Sequence, residues 1–482
     1  MVHSPFAGSF AEAIGSTYES TFVRFSNIAA IVGTLLIVSQ SAWRLAAQDA
    51  DTHDHAAGAP HPEIADSTQR GTSHGEHQML GIIYRSWTLS AMAQAFPILT
   101  LIDLTNAGSS LHDSEIYLTQ PAVMINLSAP SQRLVLRTTL NLEAETQHDG
   151  EYTFGAWGEG FIDKRHPHTF LHEAMVSLIV WNAAGGSFSL SAGKGFAAYG
   201  TDDPMSRPAV KYPTNHHLSQ ILERWTANGV YLHRSGFGLE GSVFGGTEPE
   251  NPSDLGNFDS FGDSWSMRAS QRLGLGFGPF SPWEVSVSYA RVEEPHHEEP
   301  AVTYLMNAAV RHQARYGFGD AYALVEASRR EPQGAPQGYY AILGETKLGL
   351  GLGARHRPYT RVEYSTRPEY ERAGPLGTDG YYRYDHDAHS TGATRWLVSV
   401  VGYAYGATRF PLAVQPFAEI QHNRVWKERG EAEPEDLFGG RSFWSATVGF
   451  RVFLGGSMRM GSYGVLDPMA AAMRPGQDRH IH

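Results

Sequence analysis

The sequence predicts an all-β fold: a transmembrane antiparallel β-barrel of about sixteen strands, with short periplasmic turns and long outer loops. Three observations predict it. From about residue 85, segments of about 10–14 residues alternate apolar and polar side chains with a period of two. The connections between these segments alternate between short and long. A content of 51 glycines and 11% aromatic residues suits a sheet protein better than a helical enzyme.

The alternation is clearest in the segment 133–145. Leu136 and Leu140 face one side, whereas Arg137 and Glu143 face the other. Charged side chains need water, and apolar side chains need lipid or a core, so the two faces of each strand meet different surroundings. Strands of a soluble β-sandwich also alternate but are usually shorter, which favours a membrane barrel. The same pattern recurs in other segments: 283–289, 410–421 and 444–454.

The strands can be placed along the chain from this pattern. An even number of strands puts both chain ends in the periplasm. Tryptophans near the strand ends are interpreted as interfacial girdles: Trp157, Trp181, Trp225, Trp283, Trp396, Trp426 and Trp444. The predicted strand ranges are 86–103, 116–128, 132–145, 169–183, 186–198, 220–233, 236–246, 263–273, 282–293, 302–315, 319–329, 338–350, 354–367, 393–406, 410–425 and 441–455.

The predicted barrel is preceded by two segments of different character. Residues 1–48 are a signal-peptide region, in which an apolar stretch, 28–38, follows a basic residue and precedes small residues. On this interpretation, translation starts later than Met1, and Val23 is the alternative first residue. Residues 49–78 are rich in His and lack apolar periodicity, which predicts a disordered periplasmic lead. The remaining predicted parts are the outer-membrane barrel, 79–466, and a C-terminal tail, 467–482, that either enters the pore or lies in the periplasm.

Composition excludes several classes of function. The balance of 37 Lys and Arg against 50 Asp and Glu gives a net charge of −13, which disfavours a nucleic-acid partner. The absence of cysteine excludes disulfides, thiolate zinc sites, iron–sulfur clusters and Cys nucleophiles. The sequence contains no GxSxG, Walker or HExxH motif, so it does not predict an enzyme.

Two pairs of histidines are candidate metal ligands. His166 and His168 flank a proline in an extended segment, which puts both imidazoles on one face. His216 and His217 end the next long loop, and the two loops flank one predicted hairpin, so the pairs can converge at one rim. Neutral imidazole suits Cu or Zn. The alternative is that these residues, like the His groups at 296–299 and 385–389, lie in hydrated loops. No other cofactor is expected.

The predicted lumen carries charges of both signs. Sixteen strands leave a water-filled lumen unless loops fold inward. Mixed charges across such a lumen create a transverse field that disfavours apolar solutes. By strand parity, the predicted pore-lining residues are Arg133, Arg137, Glu143, Arg361, Glu363, Glu419 and Arg451.

Three stretches of sequence show a resemblance to a known family. The stretches GFIDKRHPHTFLHEAMVSL, VKYPTNHHLSQILERWTANGVYL and MRMGSYGVLDPM resemble segments of an uncharacterised family of bacterial outer-membrane, porin-like β-barrels often associated with metal-resistance genes. The family usually has Gln before the first His of HPH and Asp after the second, where this chain has Arg165 and Thr169. The resemblance implies a barrel across residues 80–470 and no particular activity.

The functional expectation is a porin-like channel for small polar solutes or ions in the outer membrane of a Gram-negative-type bacterium. The alternative is an outer-membrane barrel that binds Cu or Zn and has a structural or resistance role; an enzyme is the third class considered. Expected partners are outer-membrane lipid, the barrel-assembly machinery and small polar solutes or metal ions, without nucleic acid. The oligomeric state stays open.

Overall fold

The computed structural model describes most of the predicted barrel region. All described residues belong to one compact unit, Arg70–His482. Among them no helix is both long enough and apolar enough to cross a membrane. The predicted signal peptide and His-rich lead, 1–78, lie outside the described residues. The described ranges are 80–84, 87–102, 114–131, 133–146, 169–183, 185–201, 204–210, 218–249, 252–256, 258–273, 283–295, 300–316, 319–333, 338–370, 390–409, 412–435, 440–455 and 460–467.

The described chain is almost entirely β-sheet. Short helical turns interrupt it, among them Pro204–Ser206, Leu352–Ala354, Gly464–Leu466 and Glu143–Thr146. The strands in chain order are β1 Leu80–Tyr84, β2 Trp87–Ile102, β3 Ser114–Ser128, β4 Leu134–Asn141, β5 Leu171–Ala183, β6 Gly186–Gly195, β7 Arg224–His233, β8 Phe237–Phe244, β9 Ser264–Leu273, β10 Trp283–Pro295, β11 Pro300–Tyr316, β12 Gly319–Pro332, β13 Tyr339–Leu350, β14 His356–Tyr370, β15 Ser390–Tyr405, β16 Ala407–Arg409, β17 Leu412–Gly430 and β18 Ser442–Leu454.

The sheet closes on itself as a barrel of sixteen antiparallel strands. Each strand from β2 to β14 pairs with the next strand along the chain. Strand β15 then pairs with β17, and β17 pairs with β18. Strand β18 closes the barrel on β2, in a register that runs from Ser445 opposite Ile102 to Leu454 opposite Ala93. The two short strands add to this wall: β1 pairs with the start of β2, and β16 pairs with β17. The predicted fold class is therefore confirmed.

The two faces of the wall have opposite chemistry. On β4, Leu136 and Leu140 are 36% and 37% exposed, whereas Arg137 and Asn141 are 2% and 1% exposed. Successive side chains of a strand point to opposite faces, so period-two alternation yields an apolar outside and a polar inside. The outward apolar side chains continue around the barrel, as at Ile125, Val176, Leu190, Leu239, Val243, Val287, Val310, Val325, Ile342, Val362, Val401 and Ile420.

The connections also follow the predicted alternation of short and long. Short turns join β3 to β4 and β7 to β8, the second through Gly236 with a φ of +83°. Long connections join β6 to β7 and β8 to β9 at the opposite end of the barrel. Because the strands are antiparallel, every second connection lies at the same end, so one rim carries the short turns and the other carries the long loops.

Two predicted details are wrong. The predicted strand 132–145 is too long, because β4 ends at Asn141, whose side chain accepts the Glu143 N–H at 2.8 Å and caps a helical turn. Trp396 is not part of an outer girdle. It is fully buried on the inner face of β15, with its indole N–H donated to Thr394 Oγ1 at 2.8 Å.

Two segments fold into the barrel. The inward loop, 196–223, connects β6 to β7, and its described residues are mostly buried. The C-terminal segment, 460–467, follows β18 and packs against the inner faces of β4, β5, β6 and β9. Residues 468–482 of the predicted tail lie outside the described residues, so whether that tail enters the pore or lies in the periplasm stays a prediction. Both segments therefore belong to the lumen and not to the rims.

Candidate functional site

The structure places most of the predicted lining charges on the inner wall. Arg133 is the exception, exposed at the turn before β4. Glu143 is buried in the helical turn beyond β4, where its Oε1 accepts the Gln120 N–H at 3.0 Å. The others lie on the inner face of their strands, with Arg451 half-buried and the rest buried: Arg137, Arg361, Glu363 and Glu419.

The tip of the inward loop is attached to the wall at β17 and β18. Glu419 Oε2 accepts the Val210 N–H at 3.0 Å and the Tyr359 hydroxyl at 3.0 Å. Arg451 donates to the carbonyl oxygens of Arg207 and Pro208. A buried carboxylate and a guanidinium therefore satisfy backbone groups of the loop that have no ladder partner.

Aromatic rings support the Arg451 guanidinium at this attachment. Its central carbon lies 5.7 Å, 5.8 Å and 5.6 Å from the ring centroids of Phe96, Tyr359 and Phe417. A cation within about 6 Å of a ring centroid is attracted by the negative face of the ring. The rings come from β2, β14 and β17, so closure of the barrel assembles this site.

A second attachment joins the inward loop to β12. Arg207 Nη2 lies 2.9 Å from Glu326 Oε2, and both side chains are almost fully buried. Thr201 donates its hydroxyl to the other Glu326 oxygen at 2.8 Å. Burial opposes the charged form of Arg207, but the Glu326 and Glu345 carboxylates outweigh it and raise the pKa of Arg207 above its ordinary value. The ion pair is therefore retained inside the lumen.

The loop reaches these attachments through a sharp bend at Gly200. Its φ of +68° is left-handed, and a Cβ there would lie 1.7 Å from the Ser219 carbonyl oxygen. The Gly200 N–H is donated to Ser288 Oγ at 2.9 Å, and its carbonyl oxygen accepts from Arg268 at 3.0 Å. The described residues of the loop thus contact β9, β10, β12, β17 and β18, which means that the loop crosses the lumen.

The base of the inward loop is held by a buried polar network. His172 Nδ1 lies 2.6 Å from Glu223 Oε1, which also accepts the Thr169 N–H at 2.9 Å. Lys194 Nζ donates to Thr169 Oγ1 at 2.7 Å. Glu223 adopts a positive φ of 60°, an uncommon conformation for a residue with a side chain. These contacts fix where the loop leaves and rejoins the wall.

Most basic residues inside the lumen have an acidic neighbour. Buried ion pairs among the described residues include Arg137–Asp467, Arg207–Glu326, Arg268–Glu240 and Arg367–Glu369. Two opposite charges that lie close together cancel much of each other's field at distances longer than their separation. The described lumen is therefore polar without a strong excess of either sign.

The predicted metal ligands His166, His168, His216 and His217 lie outside the described residues, so the site they form stays a prediction. Within the described ranges, no group of three or more His, Cys, Asp or Glu side chains is arranged to hold a metal ion.

The sequence did not reveal Arg207, Glu326, Tyr359, Arg268 or Tyr463 as lumen residues with defined partners. Only one signal pointed to part of this set. The stretches that carry the family resemblance contain His172, Glu223 and Tyr463, all of which form buried contacts here.

Comparisons with known proteins give a likeness in structure only. No protein-family model matches the chain, and no curated protein sequence is significantly similar to it. Solved structures that resemble it include OmpT of Vibrio cholerae in its trimer form, with 10% identity, a TM-score of 0.44 and coverage of 76% of this chain and 99% of that one. The anion-selective porin from Comamonas acidovorans has 12% identity, a TM-score of 0.45 and coverage of 77% and 99%. OprB of Pseudomonas putida has 10% identity, a TM-score of 0.45 and coverage of 77% and 94%.

At these TM-scores the likeness says nothing of solute, assembly or activity. The chain's own features define its class. A closed antiparallel barrel with an apolar outer face and a charged inner face suits lipid outside and water inside. The protein is an outer-membrane β-barrel, and the predicted location in the outer membrane is confirmed.

Proposed function

We propose that the protein is a porin-like channel that lets small polar solutes or ions cross the outer membrane. The observation that carries this proposal is the inward loop, which crosses a sixteen-strand barrel and is attached to the charged inner wall at Glu326, Glu419 and Arg451. A barrel of this size encloses enough space for water unless its loops fill it. A single loop that crosses this space narrows the path for water and small solutes without filling it.

The lining chemistry sets the class of solute. Buried charges of both signs, largely paired, favour hydrated polar solutes over apolar ones. Because neither sign dominates among the described residues, the channel discriminates weakly between small cations and anions. Outer-membrane lipid is the proposed surrounding of the apolar outer face, and the barrel-assembly machinery its proposed insertion partner.

Conductance in a planar bilayer tests the channel proposal. Purified protein refolded in detergent should give discrete conductance steps in KCl, with a reversal potential near zero in a salt gradient. Glu419→Gln weakens the attachment of the loop tip and should change the size of the steps. Glu435→Gln, at an exposed ion pair with Arg441, is the matched control and should not. An absence of steps from folded protein contradicts the proposal.

The metal-binding alternative is retained only as a sequence prediction, since no described contact favours it. Its test is calorimetric titration with Cu(II) and Zn(II) of the full chain and of a variant with His166, His168, His216 and His217 changed to Ala. Binding that these changes abolish supports the alternative, whereas binding that they leave unchanged assigns the metal to other residues.

A further inference from the structure

The C-terminal segment is seated on the β4–β9 side of the lumen by side-chain contacts. Asp467 pairs with Arg137, and the two side chains are 3% and 2% exposed. The Tyr463 hydroxyl donates to Glu173 Oε1 at 2.8 Å and accepts the Phe196 N–H at 2.9 Å. Each of these partners is buried. The segment thus lies in a defined seat on the inner wall.

Two further contacts fix its backbone. The Val465 N–H is donated to Ser189 Oγ at 3.0 Å. Arg268 donates to the Gly461 carbonyl oxygen at 2.9 Å and to Ser462 Oγ at 2.8 Å, in addition to its ion pair with Glu240. The described segment therefore contacts four different strands within eight residues, from β4 to β9.

Glycines on both sides make room for this contact. Gly464 has a φ of +61°, and a Cβ there would lie 2.0 Å from Ser189 Oγ. On the wall, a Cβ at Gly195 would lie 2.2 Å from the Tyr463 hydroxyl oxygen. Approaches this close are open only to glycine. The segment and the wall are therefore complementary in shape as well as in hydrogen bonding.

The C-terminal segment also packs against the inward loop. Met460 and Tyr463 share one buried cluster with Phe196 and Met205 of the loop, and with Met92, Met124 and Met175 of the wall. Methionine fills irregular gaps, which suits a contact between two non-repetitive segments. The far end of the same loop is attached to β12, β17 and β18. The two segments thus occupy opposite sides of one lumen and meet in between.

We propose that the C-terminal segment is a closing element of the channel: seated, it blocks the β4–β9 side of the lumen, and released, it leaves a wider path. This proposal rests on the proposed channel function. Among the described residues, the segment is held by non-covalent contacts, and its covalent link to the wall is the chain that follows β18. Its removal leaves the strand pairing of the wall intact, since its described contacts involve side chains of the inner face and loop groups.

The first experiment compares single-channel conductance in a planar bilayer. A chain ending at Gly455 and a full-length Gly464→Val variant both lose the seat, the second by steric overlap with Ser189. Each is expected to conduct about two- to threefold more than the parent, since conductance follows the open cross-section. Gly344→Val is the matched control. Gly344 lies on β13, and a Cβ at that position would have no other atom within 4 Å. Equal conductance of the parent and both seat variants overturns the closing role.

The second experiment measures the seat without requiring conduction. The chain has no cysteine, so an introduced cysteine is the only thiol that the reagent can label. Ser191 lies beneath Gly464. A cysteine in its place (Ser191→Cys) should react slowly with a water-soluble maleimide in the full chain but rapidly in the shortened chain. Ser328→Cys, on the opposite wall beside Ser219 of the inward loop, should react at the same rate in both chains.

The two readouts separate the possible failures. Equal labelling of Ser191→Cys in both chains overturns the seat itself. If the shortened chain is labelled faster and both chains conduct equally, the closing role is wrong but the channel function is supported. Faster labelling with no conductance from any variant overturns the channel function, and the closing role with it.

Discussion

Two regions of the lumen hold an inserted segment in different ways. On the β14–β18 side, the wall binds backbone atoms of the inward loop: the carbonyl oxygens of Arg207 and Pro208 and the N–H of Val210. On the β4–β9 side, the wall binds backbone atoms of Gly461 and Val465, and it also binds two side chains of the C-terminal segment, the Tyr463 hydroxyl and the Asp467 carboxylate. Backbone atoms are common to all residues, so the position of the loop tip depends mainly on wall residues. The position of the C-terminal segment depends in addition on its own side chains, Tyr463 and Asp467.

Side chains of the inward loop also bind the wall, above all through the buried ion pair between Arg207 and Glu326. Because both groups are buried, removing either one leaves an uncompensated charge in the lumen. The C-terminal segment differs here too, since its Asp467 can pass into water when the segment leaves. Substitutions should therefore affect barrel stability on the loop side and occupancy of the seat on the C-terminal side.

The largest expected effect is on the loop side. Glu326→Ala removes the partner of Arg207 and should lower the free energy of unfolding by about 3–5 kcal/mol. Denaturant unfolding in detergent, followed by tryptophan fluorescence, measures it. Glu331→Ala on the same strand removes an exposed pair with Arg329 and should cost only about 0–1 kcal/mol. Similar losses from both changes would mean that the Arg207 pair does not hold the loop.

The next effect concerns the seat of the C-terminal segment. Asp467→Asn removes one charge of the buried pair with Arg137, and a hydrogen bond to a charged group contributes about 1.5–3 kcal/mol. Labelling of Ser191→Cys should accelerate by about tenfold or more, while the unfolding midpoint changes little. Asp259→Asn, at an exposed position, is the control. A large fall in the unfolding midpoint would show that the segment supports the barrel itself.

A matched pair of tyrosines compares the two regions directly. Tyr463 makes two hydrogen bonds through its hydroxyl, whereas Tyr359 donates one, to Glu419. Phenylalanine substitution should therefore cost about 1 kcal/mol per bond, roughly twice as much at 463 as at 359. Thiol labelling of the seat measures the first free-energy change, and denaturant unfolding in detergent measures the second. Equal costs would mean that the second hydrogen bond of Tyr463 adds no stability.

The smallest expected effect is that of pH. Burial, with Glu173 beside it, raises the pKa of the Tyr463 phenol well above its ordinary value. A raised folded-state pKa means that the stabilisation from the neutral phenol is complete below the unfolded value of about 10 and is lost only as the pH rises through the folded value. Conductance should thus stay constant between about pH 6 and 9. Opening within that window would assign control of the seat to another group.

The barrel wall was predictable from the sequence because successive residues of a strand face lipid and the aqueous lumen in turn. That rule places Leu140 outside and Asn141 inside, and it leads to the sixteen strands and the order of short and long connections. It failed at Trp396, because both faces of that strand are apolar there: Trp396, Val398 and Val400 point inward, while Leu397 and Val401 point outward. Period-two alternation carries no information where the two faces have the same polarity.

The contents of the lumen were decided by the tertiary structure. Arg207 and Glu326 are 119 residues apart, and Tyr463 and Glu173 are 290 apart, so no local pattern marks either pair. Neither inserted segment has a repeating period, since each takes its conformation from the wall around it. A strand's two faces are specified by adjacent residues, and the sequence alone determined them. The partners inside the barrel are specified by which strands closure brings together, and that became apparent only in three dimensions.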